Sequence, residues 1–376
     1  MNGIYYYLIA FICIWILALI FHDKLPDYGI EMNFPVLMWK TKRLRGLISR
    51  ISNFSPRFWR WFMNVGIFVA FAAMIFITWT IISTLPSVFE APSVSVVIPG
   101  VEVPGSSIYV PLGYGLLALA SVLVVHEFSH GIQAVGEKIS IKSIGLLLFA
   151  ILPGAFVEPD EDELNAAKKS SRLRVYAAGS IANISLAIIA LLLVSLCSAA
   201  IPTYFAEDGI AINRVVSDSP SDGILKEGMV LESIDNHRIT NSTDYGEIVS
   251  SYHPGDNVTV QTDEGSYTLT LSENPNNESR GFFGIQATKH FELVNDSLGP
   301  LPWILFELVE LFQWVFMLNL GIGLFNLLPI KPLDGGLMLE TLLTYKFSEE
   351  AVKPVVNAIS AVMGIIIVFS IIVGFL

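Results

Sequence analysis

Cysteine is nearly absent. Cys13 and Cys197 are the two in 376 residues, and both sit inside apolar runs. That excludes a disulfide framework and a thiolate metal site, and leaves the pair as small buried hydrophobes. Charge is scarce too, at 15% of residues, against about 25% in an ordinary soluble domain. With 53% hydrophobic residues and a mean hydropathy of +0.60, the chain as a whole is not a soluble protein, and much of it belongs in a membrane. Basic residues form neither a domain nor a stripe interleaved with aromatics, which excludes a nucleic-acid partner. Even the net charge of −12 is local, because residues 201–300 hold 16 acidic and five basic residues.

What is present is a set of apolar runs near the roughly 20 residues that cross a hydrocarbon core. They lie at 4–21, 62–85, 109–135, 173–200, within 301–328, and at 355–376, predicting six transmembrane helices. The first lacks a basic start and a small-residue cleavage site, so a retained anchor is expected rather than a signal peptide. Loop 22–61 holds eight lysines and arginines, loop 86–108 none, and loop 136–172 is basic again. The positive-inside rule then places the first and third loops in the cytoplasm, and both termini and the acidic segment 201–300 outside. Asn-x-Ser/Thr acceptors at Asn241, Asn257, Asn277 and Asn295 agree with that side.

Within the third run stands His126-Glu127-Phe128-Ser129-His130. Ionisable groups in a membrane helix are costly and by default mark function. Residues four apart share a helix face, so two imidazoles can grip one zinc ion, and the glutamate between can take a proton from its water. Zinc lowers that water's pKa toward about 7. Gly131 is expected to leave room beside the metal. A catalytic site needs a third ligand. His22 lies at a loop edge, and His237, His253 and His290 lie in the outer segment. Glu158 and Asp334 are the carboxylate candidates. Asp334 is favoured, because the helix broken by Pro329 and Pro332 ends at the depth of His126, and Gly335-Gly336 lets the backbone pass close. The connector 139–157, "ISIKSIGLLLFAILPGAFV", is too short to cross and predicts a membrane-dipping β-hairpin turning at Pro153-Gly154. The acidic run 160–163 is expected to cap a following helix.

H-E-x-x-H in one membrane helix with "NLLPIKPLDGG" in a later one resembles the site-2 protease family of intramembrane zinc metalloproteases. Gly179 and Asn183 in "AAGSIANISLA" match a third family element, and the similarity covers residues 112–340 without the outer insert. The resemblance implies one Zn²⁺ per chain held by His126, His130 and Asp334, with Glu127 as general base and acid. It implies that Asn183 stabilises the oxyanion and that Asn326, near Pro329, contacts the main chain of the unwound substrate. Glu158 becomes a connector residue. The implied substrates are transmembrane segments of other proteins, cut after a first extracytoplasmic cleavage.

Residues 208–288 read as strand, turn, short helix, a turn at Gly228, strand 230–234 and the hairpin 253–272. This resembles a PDZ domain, with Met229 where that family often has aspartate. "RGFFGIQ" resembles the loop that receives a peptide carboxylate, implicating Gly281, Phe282, Phe283 and Gly284.

The expected architecture is thus a polytopic α-helical membrane protein with a membrane-associated β-hairpin and an extracytoplasmic PDZ-like α+β domain. Its parts are residues 1–108 (two N-terminal spans), 109–200 (first catalytic part), 208–288 (PDZ-like), 301–340 (second catalytic part) and 355–376 (last span). A scaffold with structural zinc and a metal transporter are the competing classes. Glu127 argues against the first, and the scarcity of further ligands against the second.

Overall fold

The computed structural model describes residues 4–89, 92, 94–104, 106, 108–275 and 277–375. Parts of the expected loop 86–108, and Leu376 at the end of the last expected span, lie outside the described residues. The chain divides into two compact units, Met1–Ser195 with Leu308–Leu376, and Leu196–Glu307.

The chain opens with α1 (Ile4–Ile20), β1 (Ile30–Asn33), β2 (Val36–Thr41), α2 (Arg45–Phe54) and α3 (Pro56–Ser83). Pro56 starts α3, where its fixed φ suits a helix and its missing N–H costs nothing. Then come α4 (Leu112–Gly136), β3 (Ile141–Phe149), β4 (Leu152–Pro159), α5 (Glu161–Ala166) and α6 (Lys169–Tyr204). The acidic run does cap α5, for Asp160 Oδ1 accepts from Glu163 N at 3.0 Å. The insert carries β5 (Phe205–Val215), β6 (Val230–Ile234), β7 (His237–Arg238), α7 (Ser242–Ser250), β8 (Asn257–Thr262), β9 (Gly265–Thr270), β10 (Ser272–Asn274), β11 (Asn277–Phe282) and β12 (Ile285–Leu293). The chain closes with α8 (Ile304–Asn326), α9 (Asp334–Leu343) and α10 (Glu349–Gly374).

Among the described residues, five helices are long and apolar enough to cross a membrane, those built on α3, α4, α6, α8 and α10. The protein is multi-pass. Six spans were expected; α1 has only 17 residues and bends by 93° into a 3₁₀ turn, so it adds a sixth only if that bent pair is one span. Around the candidate site, Met63, Ala70 and Met74 of α3 pack on Ala177, Ala178 and Ile181 of α6 and on Leu327 and Met338. Small residues at such crossings let helix backbones approach, as lipid supplies no hydrophobic drive between helices.

The connector forms a hairpin, within a larger sheet of order β1-β2-β3-β4, antiparallel throughout. Its turn falls at Ala150-Ile151, not at Pro153-Gly154. Ala150 takes φ 53°, and its N–H donates to Pro35 O at 2.7 Å, so the neighbouring hairpin fixes the turn. Pro153 and Gly154 lie in β4 opposite Leu148 and Leu147. A proline is tolerated there because β4 is the terminal strand.

The second unit holds the sheet β12-β5-β6-β8-β9, with β7 on β6 and a separate β10–β11 pair. The short helix expected before Gly228 is a series of turns instead. Asp218 and Gly223, at φ 60° and 72°, interrupt any helical path through Pro220. Met229, 1% exposed, packs with Ile212, Leu231, Ile234, Val258 and Leu269, so an apolar residue there builds the core.

Candidate metal centre

His126 and His130 lie one turn apart on α4, and their Nε2 atoms are 3.2 Å from each other. Asp334, the first residue of α9, brings Oδ2 to 3.4 Å from each Nε2. Zinc–nitrogen bonds of about 2.0–2.1 Å in a tetrahedron put ligand atoms roughly 3.3–3.4 Å apart, so the spacing fits a zinc ion. Among the described residues these three form the one group of such side chains whose ligand atoms all lie within 4.8 Å.

The surroundings turn those atoms inward. His130 Nδ1 donates to Val175 O at 2.7 Å, which leaves Nε2 bare of hydrogen and ready to ligate. Ser180 Oγ donates to Asp334 Oδ2 at 3.1 Å. Both partners come from α6, as does Gly179. A Cβ on Gly179 would collide with His130 Nε2 and lie 2.7 Å from His126 Nε2. It would sit almost where a shared metal must sit, so the glycine is the floor of a cradle.

The break after α8 delivers Asp334. A Cβ on Gly335 would strike the Leu327 carbonyl, and one on Gly336 would lie 2.5 Å from the Ile330 carbonyl carbon, so the double glycine lets α9 fold back beneath α8. Asn326 is half-buried as the last residue of α8; Pro329 is buried, with its carbonyl 3.5 Å from Ser360 Oγ of α10. Lys331 N donates to the same hydroxyl at 3.0 Å.

Glu127 points to the sheet, where its Oε2 accepts from Val157 N at 3.0 Å. Since β4 ends the sheet, that N–H faces its free edge, and the alternation of a strand turns the backbone of Ala155 the same way. The connector hairpin thus brings its edge strand beside the metal cluster. Gly131 does not border the metal. A Cβ there would lie 3.0 Å from Ile48 Cδ1 and Val157 Cγ1, so it lets α2 and β4 close on α4. Glu158 is hydrogen-bonded by Ser143 Oγ and lies outside the ligand group.

Asn183 is buried with Nδ2 placed 3.2 Å from His126 Nδ1, while its Oδ1 has no partner. A histidine that ligates through Nε2 carries its proton on Nδ1, so the amide oxygen belongs against the ring. Turning the amide sets Oδ1 to accept from that Nδ1–H.

In the second unit, Gly281 N donates to Tyr252 O at 2.9 Å, Phe282 is half-buried and Phe283 is a core residue at 4% exposure. Gly284 takes φ 78°, and its carbonyl accepts from Val216 N at 2.8 Å.

Residues 114–370 match the model of peptidase family M50. An uncharacterized protein of Methanocaldococcus jannaschii is 29% identical over 222 residues, 59% of this chain and 54% of that one. A membrane-bound transcription factor site-2 protease homolog of Arabidopsis thaliana is 29% identical over 142 residues, 37% of this chain and 27% of its own length. The PDZ domain of an SdrC-like protein from Listeria innocua aligns at 23% identity and a TM-score of 0.21, covering 22% of this chain and 97% of that one. The chain thus spans about half the length, or less, of these curated relatives. The matched region takes in His126, His130, Gly179, Asn183 and Asp334 together, and the chain belongs to peptidase family M50, the site-2 protease family that its motifs resemble.

Proposed function

We propose that the protein is a zinc-dependent endopeptidase that hydrolyses peptide bonds within transmembrane segments of other proteins. The observation that carries this reading is the convergence of His126, His130 and Asp334, from two distant stretches of sequence, at the separations of a tetrahedral ion. Zinc held there supplies a Lewis acid that polarises a carbonyl and acidifies water. Glu127 takes the water's proton and returns it to the departing amine, a transfer worth about 10²–10⁴-fold in rate. Asn183 is assigned to holding His126 in its ligating tautomer. Stabilising the oxyanion, the role the resemblance implies, would require its amide to leave the ring.

A helical substrate hides its carbonyls in its own hydrogen bonds, so it must unwind before attack. The free edge of β4 offers an unwound segment backbone partners beside Glu127, as in strand addition. Asn326, at the end of α8, is a further main-chain contact, with Pro329 setting the helix break behind it. The basic loops support a site toward the cytoplasm and an acidic unit outside. There a PDZ-like unit would meet the carboxyl terminus left by an earlier extracytoplasmic cut, with residues 281–284 as the receiving loop.

Glu127→Gln tests the reading. Purified variant should bind zinc at the wild-type ratio and fail to cleave a single-span peptide that the wild type cuts. Persistent cleavage would overturn the mechanism, and no cleavage by the zinc-loaded wild type would favour a scaffold.

A further inference from the structure

On the side of Glu127 that faces the sheet, α4 and strands β2, β3 and β4 leave a cavity of about 350 Å³. Its walls are Trp39 of β2, Leu44, Val124 and Phe128 of α4, Leu146 of β3 and Phe156 of β4. Glu127 itself lies on the wall, with Thr41 and Arg43 the other polar members. Ala155 forms part of the lining, and its small side chain leaves the space open.

We propose that this cavity is a specificity pocket that receives one bulky apolar side chain of the substrate, within a residue or two of the bond that is cut. The inference rests on the proteolytic reading above and deepens it. The cavity volume lies at the lower end of ligand pockets, about 300–1,000 Å³. It is ample for a leucine or phenylalanine side chain, and an alanine would leave it largely unfilled.

The register says how a side chain gets there. Leu146 pairs with Ala155 and Ile144 with Val157, so these four residues share the sheet face that looks onto α4. A substrate strand added to the free edge of β4 continues that alternation, and every second side chain projects over the same face. The one level with Ala155 enters the cavity from the β4 side, next to Ala155, with Leu146 and then Trp39 one and two strands further in. A lipid chain could fill apolar space, but its ester head would gain nothing from this register.

Trp39 and Leu44 lie outside the matched region 114–370. The pocket's outer wall is therefore built by the β1–β2 extension, which also lengthens the sheet. Trp39, Leu44 and Val124 are 46%, 37% and 50% exposed, so substitutions there change the cavity without opening the core.

The test uses the full-length zinc-loaded protein and single-span peptides carrying Ala, Leu, Phe or Trp in turn at three positions on each side of the cut bond. Wild type should prefer Leu or Phe at one of these positions. Val124→Phe should fill the pocket and lower kcat/KM for the Phe peptide at least about tenfold relative to the Ala peptide, the scale of losing a methylene-sized or larger fit. Trp39→Ala should shift the preference toward Trp. Zinc content, measured on each variant, should stay at the wild-type ratio. Preference at no position, or equal effects on every peptide, would overturn the pocket while leaving proteolysis intact. So would a lipid retained in the cavity by native mass spectrometry and displaced by Val124→Phe with peptide preference unchanged. Failure of the wild type to cut any peptide would remove the proteolytic reading and the pocket with it.

Discussion

Gly179 lies so close to the Nε2 atoms of His126 and His130 that a single added carbon would occupy the space they share. The helix that carries it, α6, also supplies the Val175 carbonyl to His130 and the Ser180 hydroxyl to Asp334. With Asn183 set against His126, one helix shapes the cradle from below and touches all three of its ligands.

Gly179→Ala should cost the protein its metal while leaving its fold. Zinc content at fixed free zinc should fall by at least about tenfold, the scale on which supporting groups matter at metal sites. The thermal midpoint of the metal-free protein should stay near that of metal-free wild type. Gly246→Ala, where a Cβ meets nothing within 4 Å, is the control and should bind zinc normally.

Ala155→Pro removes one outward N–H from β4. A net hydrogen bond is worth about 0.5–1.5 kcal/mol, so kcat/KM should fall roughly three- to tenfold on the Ala peptide, which leaves the pocket unfilled. Zinc binding should be unchanged. A loss on that peptide distinguishes a backbone contact from the size-dependent effects expected at Val124 and Trp39.

At the end of α4, Arg174 donates to Glu137 through Nε at 2.8 Å and Nη2 at 3.0 Å, and through Nη1 to Asn64 Oδ1 at 2.9 Å. The two side chains are 10% and 5% exposed. Arg174→Leu takes the nearest cation from buried Glu137, leaving it Ser171, Gln133 and the more distant Arg60, and should destabilise the protein by at most about 3–5 kcal/mol. The double variant with Glu137→Leu should recover much of that loss, read as the thermal midpoint.

The same pair has a pH signature. Burial pushes the Glu137 carboxyl up, but hydrogen bonds from Arg174 and Ser171 and the charges of Arg174 and Arg60 outweigh it and hold the group below its ordinary value of 4.5. Its stabilising contribution is therefore complete above that value and is lost as pH falls through the lower folded-state value. Glu137→Gln should flatten the acid side of the stability profile and leave the neutral side parallel to wild type.

Much of the site was legible because chemistry in a membrane helix has few cheap explanations. His126, Glu127 and His130 declare themselves by being ionisable where lipid is expected, and Asp334 by the prolines and glycines that break its helix. The β1–β2 hairpin was not legible. Eight lysines and arginines mark loop 22–61 as a basic connector, and they masked the short apolar run Val36–Trp39 within the strand that pairs with β3. The turn at Ala150 was missed for a related reason. Pro153-Gly154 is the stronger local turn signal, yet a partner strand from over a hundred residues earlier decides where the chain reverses. Gly131 was misjudged likewise, because what a missing side chain makes room for is known only from the neighbours that arrive.

His130 and Asp334 stand about two hundred residues apart, with the whole Leu196–Glu307 unit encoded between them. During translation the nascent chain therefore displays its two imidazoles long before the ribosome reaches the aspartate. The cradle is complete only once α9 has emerged, so a chain truncated before that point holds two imidazoles without their aspartate, however well its earlier helices have inserted.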